Sequence, residues 1–349
     1  MRNVTIDNAR SIGVFLIVLG HALGVSDQVI LWIYSFHVPL FFFISGAVVK
    51  SKFLEASAKI AAAKLVQTLL IPYVFFWVIA YISWLPTYER SSNAVEYANY
   101  TMWTPFEGFF IATGKSLPMD PALWFFTALF FVIFGYWILR KFLSQNQCII
   151  ISLMTFFSER ALINDSQNFL VCNLDIAACC LIFYVMGAVS RNFLDFLDTA
   201  TENMTHLKIG MALIAVLTLV LVPLNGRIDI NNRAFGNSAL QFLINAFLGI
   251  TVIIFTAKVI PRNRFLSIVS GNSLTVFALH MVTFRVFTSL SMTVMKIPRV
   301  ALITWKATVA YVLWAFVMSL VTAAALKKWL PSAIGETRSQ HHRPPARPS

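Results

Sequence analysis

Arg10 and His21 lie in DNARSIGVFLIVLGHALG, an otherwise apolar stretch near the start of the chain. A charge and a titratable ring are costly in lipid, so function is the first reading of such a pair. Eleven residues at about 100° each turn the helix about 1100°, which is only about 20° past three full turns. Both side chains therefore share one face, roughly 16 Å apart along the axis. Asp7 lies three residues before Arg10 on that face. The stripe Asp7–Arg10–Val14–Val18–His21 reads as a polar track open to something other than lipid. Histidine suits general-base work near neutral pH. Arginine suits phosphate or carboxylate recognition. Such parts fit the requirements of acyl transfer, in which a weakly nucleophilic hydroxyl needs a base and a phosphate-bearing thioester donor needs cations.

Other costly residues recur further along. SFHVPLFFFISGAVVK carries His37 and Pro39, followed by Ser45 and Gly46. Pro39 removes a backbone donor and loosens the helix near His37, while Gly46 permits close helix contact. Asp175 sits in CNLDIAACCLIFYVMGA, and His280 and Arg285 sit in GNSLTVFALHMVTFRVF. Each has a structural alternative. His280 by itself reads as a packing residue, Asp175 as the partner of Arg285 or Lys306, Arg285 as a snorkelling cation, and Trp124 as part of an interfacial belt. The four cysteines, Cys148, Cys172, Cys179 and Cys180, show no metal-ligand spacing and read as buried thiols. The sequence contains no Ser-centred nucleophile elbow, no phosphate-cradling Gly-rich loop and no zinc motif, which disfavours an embedded hydrolase or an ATP-driven pump.

These residues must be positioned by membrane helices. Of 349 residues 58% are hydrophobic and 12% charged, with a mean hydropathy of +0.74. A soluble domain carries roughly 25% charge. Ten apolar runs are long enough to span, near 7–25, 29–49, 65–84, 122–139, 148–164, 169–190, 207–224, 238–257, 272–289 and 301–326. The expected architecture is an all-α polytopic membrane protein of about ten helices, with an integral domain over 1–328 and a polar, disordered cytoplasmic tail over 329–349. The first run carries His21 and lacks a small-x-small cleavage site, so it reads as a retained span rather than a signal peptide. Placing both termini in the cytoplasm puts 18 Lys and Arg inside and seven outside, the asymmetry that membrane insertion favours. The net charge of +12 then reflects cytoplasmic loops, and nucleic acid is not an expected partner. The longest outer loop, about 85–121, carries Tyr97, Tyr100 and Trp103, which suit either the lipid interface or a sugar face.

The motifs also resemble a known family. TIDNARSIGVFLIVLGHA is similar to the first span of the membrane-bound acyltransferase family three, and SFHVPLFFFISGAVV to its second-span signature. LIPYVFFWV, ALWFFTALFF, NLDIAACCLIFYVMGA, NGRIDINNRAFGN and GNSLTVFALH resemble, in order and position, the fucose 4-O-acetylase-like branch. The resemblance runs over about residues 3–326. It implies ten helices in a bacterial inner membrane, acetyl-CoA as cytoplasmic co-substrate, and a glycan or lipid-linked sugar as acceptor. By position it makes Arg10 and His21 the essential pair and His37 a second site residue. Together with the residue-level reading, the candidate catalytic residues are His21, His37 and Asp175, and the candidate donor-binding residues are Arg10 and Lys64. One departure concerns the donor side. Many members carry an Arg-x-x-Arg element before the third span, where this chain has only Lys50, Lys52, Lys59 and Lys64. Lysine binds phosphate as a point charge, not as a fork. A proton-coupled transporter or flippase is the competing class, since intramembrane His, Asp and Arg would serve it too. The two halves of the chain show no internal repeat of the kind that class often carries.

Overall fold

The computed structural model describes residues 3–88, 100–162, 171–200 and 204–336. Each of the ten apolar runs falls on a helix. The first is α1 (Val4–His21), and the second run is split into α2 (Asp27–Tyr34) and α3 (His37–Ala47). Pro39 explains the split. It has no N–H to offer the Ser35 carbonyl and its ring would collide there, so one helix ends before Ser35 and the next starts at His37. Short helices α4 (Ser51–Glu55) and α5 (Ala58–Leu65) lead through a π-turn into α6 (Ile71–Trp84). After α7 (Thr104–Ile111) come α8 (Trp124–Phe142), α9 (Gln145–Leu162), α10 (Leu174–Val189), α11 (Arg191–Thr199) and α12 (Met204–Asn225). A two-residue antiparallel ladder, β1 (Ile228–Asp229) with β2 (Ala234–Phe235), precedes α13 (Ala239–Val259), α14 (Arg264–Gly271), α15 (Ser273–Thr293) and α16 (Trp305–Trp329).

The protein is an all-α polytopic membrane protein. Among the described residues, seven helical segments are long and apolar enough to cross a membrane, or eight if α10 and α11, bent by 48°, form one span. The peripheral helices α12 and α16 present Leu213, Leu219, Leu313 and Val317 outward, as helices facing acyl chains do.

α1 occupies the centre, and its polar residues hold it there. Asn8 Nδ2 donates to the carbonyls of Ala257 and Ile260 at 3.1 and 2.9 Å. Ser11 Oγ donates to Leu266 O at 2.7 Å, and Asp7 Oδ1 accepts from Ser270 Oγ at 2.9 Å. Asp198 of α11 caps the helix start, accepting from Thr5 N at 2.8 Å. In the middle of the helix, Val14 and Val18 are fully buried against α15 and α16. The expected continuous polar track is therefore sealed at its centre, because two apolar side chains separate its polar ends.

α3 crosses α10 at backbone contact. A Cβ on Gly46 would overlap the Tyr184 carbonyl oxygen, and one on Gly187 would overlap that of Phe43. With no hydrophobic drive between helices in lipid, such small-residue crossings are how close packing is achieved. At the other end, the ordered chain continues past the expected boundary at residue 328. Pro331 and Ile334 are buried in a turn, and Lys327 pairs with Glu336 at 2.8 Å. His341 and His342 lie outside the described residues.

Candidate functional site

The break between α2 and α3 brings Tyr34 and His37 to the end of α1. Tyr34 and His37 have ring centroids 4.8 Å apart, and His21 and Tyr34 5.8 Å apart. His280 of α15 completes the cluster, 5.2 Å from the His21 ring.

Hydrogen bonds assign the protons. His37 Nδ1 faces the Ile33 carbonyl at 2.9 Å, and His280 Nδ1 faces the Phe277 carbonyl at 2.5 Å. A carbonyl only accepts, so both Nδ1 atoms carry hydrogen, and in the neutral ring both Nε2 atoms carry the lone pair. His280 is fully buried, and its Nε2 has no partner among the described residues. The Tyr34 hydroxyl lies 3.4 Å from the Gly20 carbonyl and 3.3 Å from His21 Nδ1. If it donates to Gly20, its oxygen accepts from His21 Nδ1–H, which leaves His21 Nε2 free as a base.

His21, Tyr34 and His37 line a cavity of about 560 Å³. The walls opposite come from two loops. One supplies Tyr100, Gly114, Lys115 and the start of α8 with Trp124 and Phe125; the other supplies Arg227, Asp229, Asn231 and Asn232. The loops are tied together by Gly114 N–H donating to Asn231 Oδ1 at 3.0 Å, at a spot where a Cβ on Gly114 would strike the Asn231 amide. Asp229 acts electrostatically on both His21 and Tyr34.

One buried ion pair, Asp175 with Arg233, and the hydrogen bonds of the buried Arg285 fasten these loops to the spans. Asp175, a candidate catalytic residue, does not line the cavity. It is 2% exposed and paired with Arg233, which holds the hairpin loop. Its expected partners, Arg285 and Lys306, are engaged elsewhere. Arg285 turns inward rather than snorkelling, donating to Ser83 Oγ at 3.0 Å and to the Met119 carbonyl beside Asp120. Lys306 is exposed over the Trp305 ring. Burial pushes the Asp120 carboxyl up, to about 8, against the opposing pull of Arg285 and of the Ala122 N–H.

The candidate donor residues stand apart. Arg10 is half-buried at the far end of α1, and Lys64 is exposed on α5 with its ammonium 5.3 Å from the Phe53 ring centre. Neither lines the cavity. Of the loop aromatics, Tyr100 lines it, Trp103 is 65% exposed away from it, and Tyr97 lies outside the described residues. Trp124 is a cavity wall rather than an interfacial anchor. Sequence reasoning missed Tyr34, Lys115, Arg227, Asp229 and the two asparagines. Tyr34 lies only three residues before His37, across the break that Pro39 signals. The polar run RIDINN between two apolar runs was the other available signal.

A multi-pass helical bundle enclosing a histidine-lined cavity is the class that this fold and site define. Residues 3–328 match the profile of acyltransferase family 3, described as an acyltransferase domain, and the chain belongs to that family as a membrane acyltransferase. No curated protein and no solved structure gives a significant match.

Proposed function

We propose that the cavity is where an acetyl group passes from acetyl-CoA to a hydroxyl of a cell-envelope or exported glycan, free or lipid-linked, in a bacterial inner membrane. The observation that carries this reading is the 3.3 Å approach of the Tyr34 hydroxyl to His21 Nδ1 in the cavity wall; with Tyr34 donating to the Gly20 carbonyl, Nδ1 carries the hydrogen and Nε2 is the base. The acceptor hydroxyl oxygen forms the new ester bond as its proton passes to Nε2. The carbon–sulfur bond of the thioester breaks, and the thiolate departs and is protonated. Acetyl-CoA supplies the activated acyl group; Arg10, and by charge alone Lys64, are the residues here to receive its phosphates. Both termini are cytoplasmic in this reading, which places those cations on the donor side and the two cavity loops on the acceptor side. His37, with its own Nε2 lone pair, is the second histidine facing the acceptor.

The test is acyl transfer by purified full-length protein in nanodiscs, with radiolabelled acetyl-CoA and oligosaccharide acceptors. His21→Ala should lower turnover by roughly 10²–10⁴-fold, the usual contribution of a general base. Near-normal turnover would make His21 a packing residue and overturn the assignment.

A further inference from the structure

The cavity lining presents two cations, neither paired with a carboxylate among the described residues. Lys115 arises from the loop before α8 and Arg227 from the loop before β1; both are exposed, and both line the cavity. Asp229 is the one carboxylate in the described lining, so two cations face one carboxylate there, and each of its oxygens already accepts a bond within its own turn. Oδ1 accepts from Asn232 N at 3.2 Å and Oδ2 from Asn232 Nδ2 at 2.7 Å, capping the turn Ile230–Asn232.

The cations stand on fixed supports. Tyr100 donates to the Lys115 carbonyl at 2.6 Å, and Gly114 next to it is held by Asn231. On the other loop, Asn225 clamps the hairpin through Phe235 O at 3.0 Å and Ser238 N at 2.9 Å, while Arg233 is anchored on Asp175. Like charges held in one lining repel each other at a cost in stability. Such an arrangement is favourable once an anion binds, because the supports need no further ordering. Arg227 is also close enough to act on Tyr34, the residue that touches His21.

We propose that Lys115 and Arg227 form an anion subsite, and that the acceptor carries a negatively charged group, a carboxylate or a phosphate, on or beside the sugar that is acylated. This rests on the acyl-transfer reading of the same cavity. In the proposed function the donor's phosphates bind at the other end of α1, roughly 16 Å from His21 by helical rise, and CoA is therefore included as a competitor in the test.

Calorimetry on the full-length protein in nanodiscs tests the proposal without requiring turnover. The probes are a galacturonate trisaccharide, a galactose phosphate, the neutral galactose trisaccharide and CoA. At least one anionic sugar should bind at least tenfold more tightly than the neutral one, and which of the two does so identifies the group. The preference should shrink as salt screens it and should collapse in Lys115→Gln and Arg227→Gln, with Lys306→Gln retaining it. The salt series uses the unaltered protein, so it stands even if a variant folds poorly. Equal affinity for neutral and charged sugars would overturn the proposal, as would a salt-independent preference. So would displacement of the anionic sugar by CoA, with parallel loss of CoA binding in the same variants. Acetyl transfer is measured separately. Charge-selective binding without transfer would remove the proposed function but not the subsite, and transfer without charge preference would do the reverse.

Discussion

Tyr34→Phe separates a positioning role from a chemical one. The substitution removes one oxygen and leaves the ring contacts with His21 and His37 in place. What is lost is a hydroxyl bridge of 3.3 Å to His21 Nδ1 and 3.4 Å to Gly20 O. Both are longer than the usual 2.7–2.8 Å for hydroxyl hydrogen bonds, so neither is strong. A net hydrogen bond contributes about 1 kcal/mol, and about 1.4 kcal/mol corresponds to tenfold in rate. If the bridge only keeps His21 in the productive tautomer and orientation, kcat should fall about five- to tenfold. KM for both substrates should hold, and the melting temperature in detergent should barely move. The assay is steady-state transfer at varied donor and acceptor, beside His21→Ala. Unchanged kcat would refute the positioning argument. A loss as deep as that of His21→Ala would refute it in the other direction, since the tyrosine oxygen would then be handling the proton itself.

Asp175→Asn should destabilise the protein by about 3–5 kcal/mol, the usual cost of leaving a buried cation without its partner; thermal unfolding in detergent reads this directly, and an unchanged midpoint would mean that Arg233 does not depend on it. The same variant should raise acceptor KM more than it lowers kcat, because the loop that it anchors forms part of the cavity wall and the histidines do not depend on it. For topology, a C-terminal fluorescent fusion should be bright and a C-terminal phosphatase fusion silent, as the 18-to-7 charge asymmetry requires; the opposite pattern would reverse the donor and acceptor sides.

The spans were legible because a run of about 20 apolar residues needs no tertiary knowledge to be read as a membrane helix. The break at α2–α3 was legible in Pro39, and the tight crossing of α3 in Gly46. Partners were not. Asp175 had to be paired, since a lone buried carboxylate is too costly, yet nothing in its own segment points to Arg233, which belongs to a loop. The spacing of Arg10 and His21 fixed their common face correctly, but spacing gives no information on what covers Val14 and Val18 between them. His280 looked like packing when considered alone. Its place beside His21 depends on α15 lying against α1, a contact that no local pattern encodes.

The cavity divides its work between two kinds of segment. Helices α1, α3 and α15 and the end of α2 supply the histidine cluster and its tyrosine, and they are held by backbone-close packing and by hydrogen bonds from Asn8 and Ser11. Loops supply Lys115, Arg227, Asp229 and Asn231, the groups that a polar acceptor would meet. Transfer needs the base and the hydroxyl held in a near-attack geometry, where an error of about 1 Å can cost about 10²-fold. Loops alone do not provide that precision, and one buried ion pair and one buried arginine sit where it would otherwise fail. Asp175 on α10 anchors the hairpin through Arg233, and Arg285 on α15 anchors the 113–121 segment through the Met119 carbonyl. Asp175, on a helix packed against α3, and Arg285, on α15, thus tie the two cavity loops to the bundle that carries the histidines.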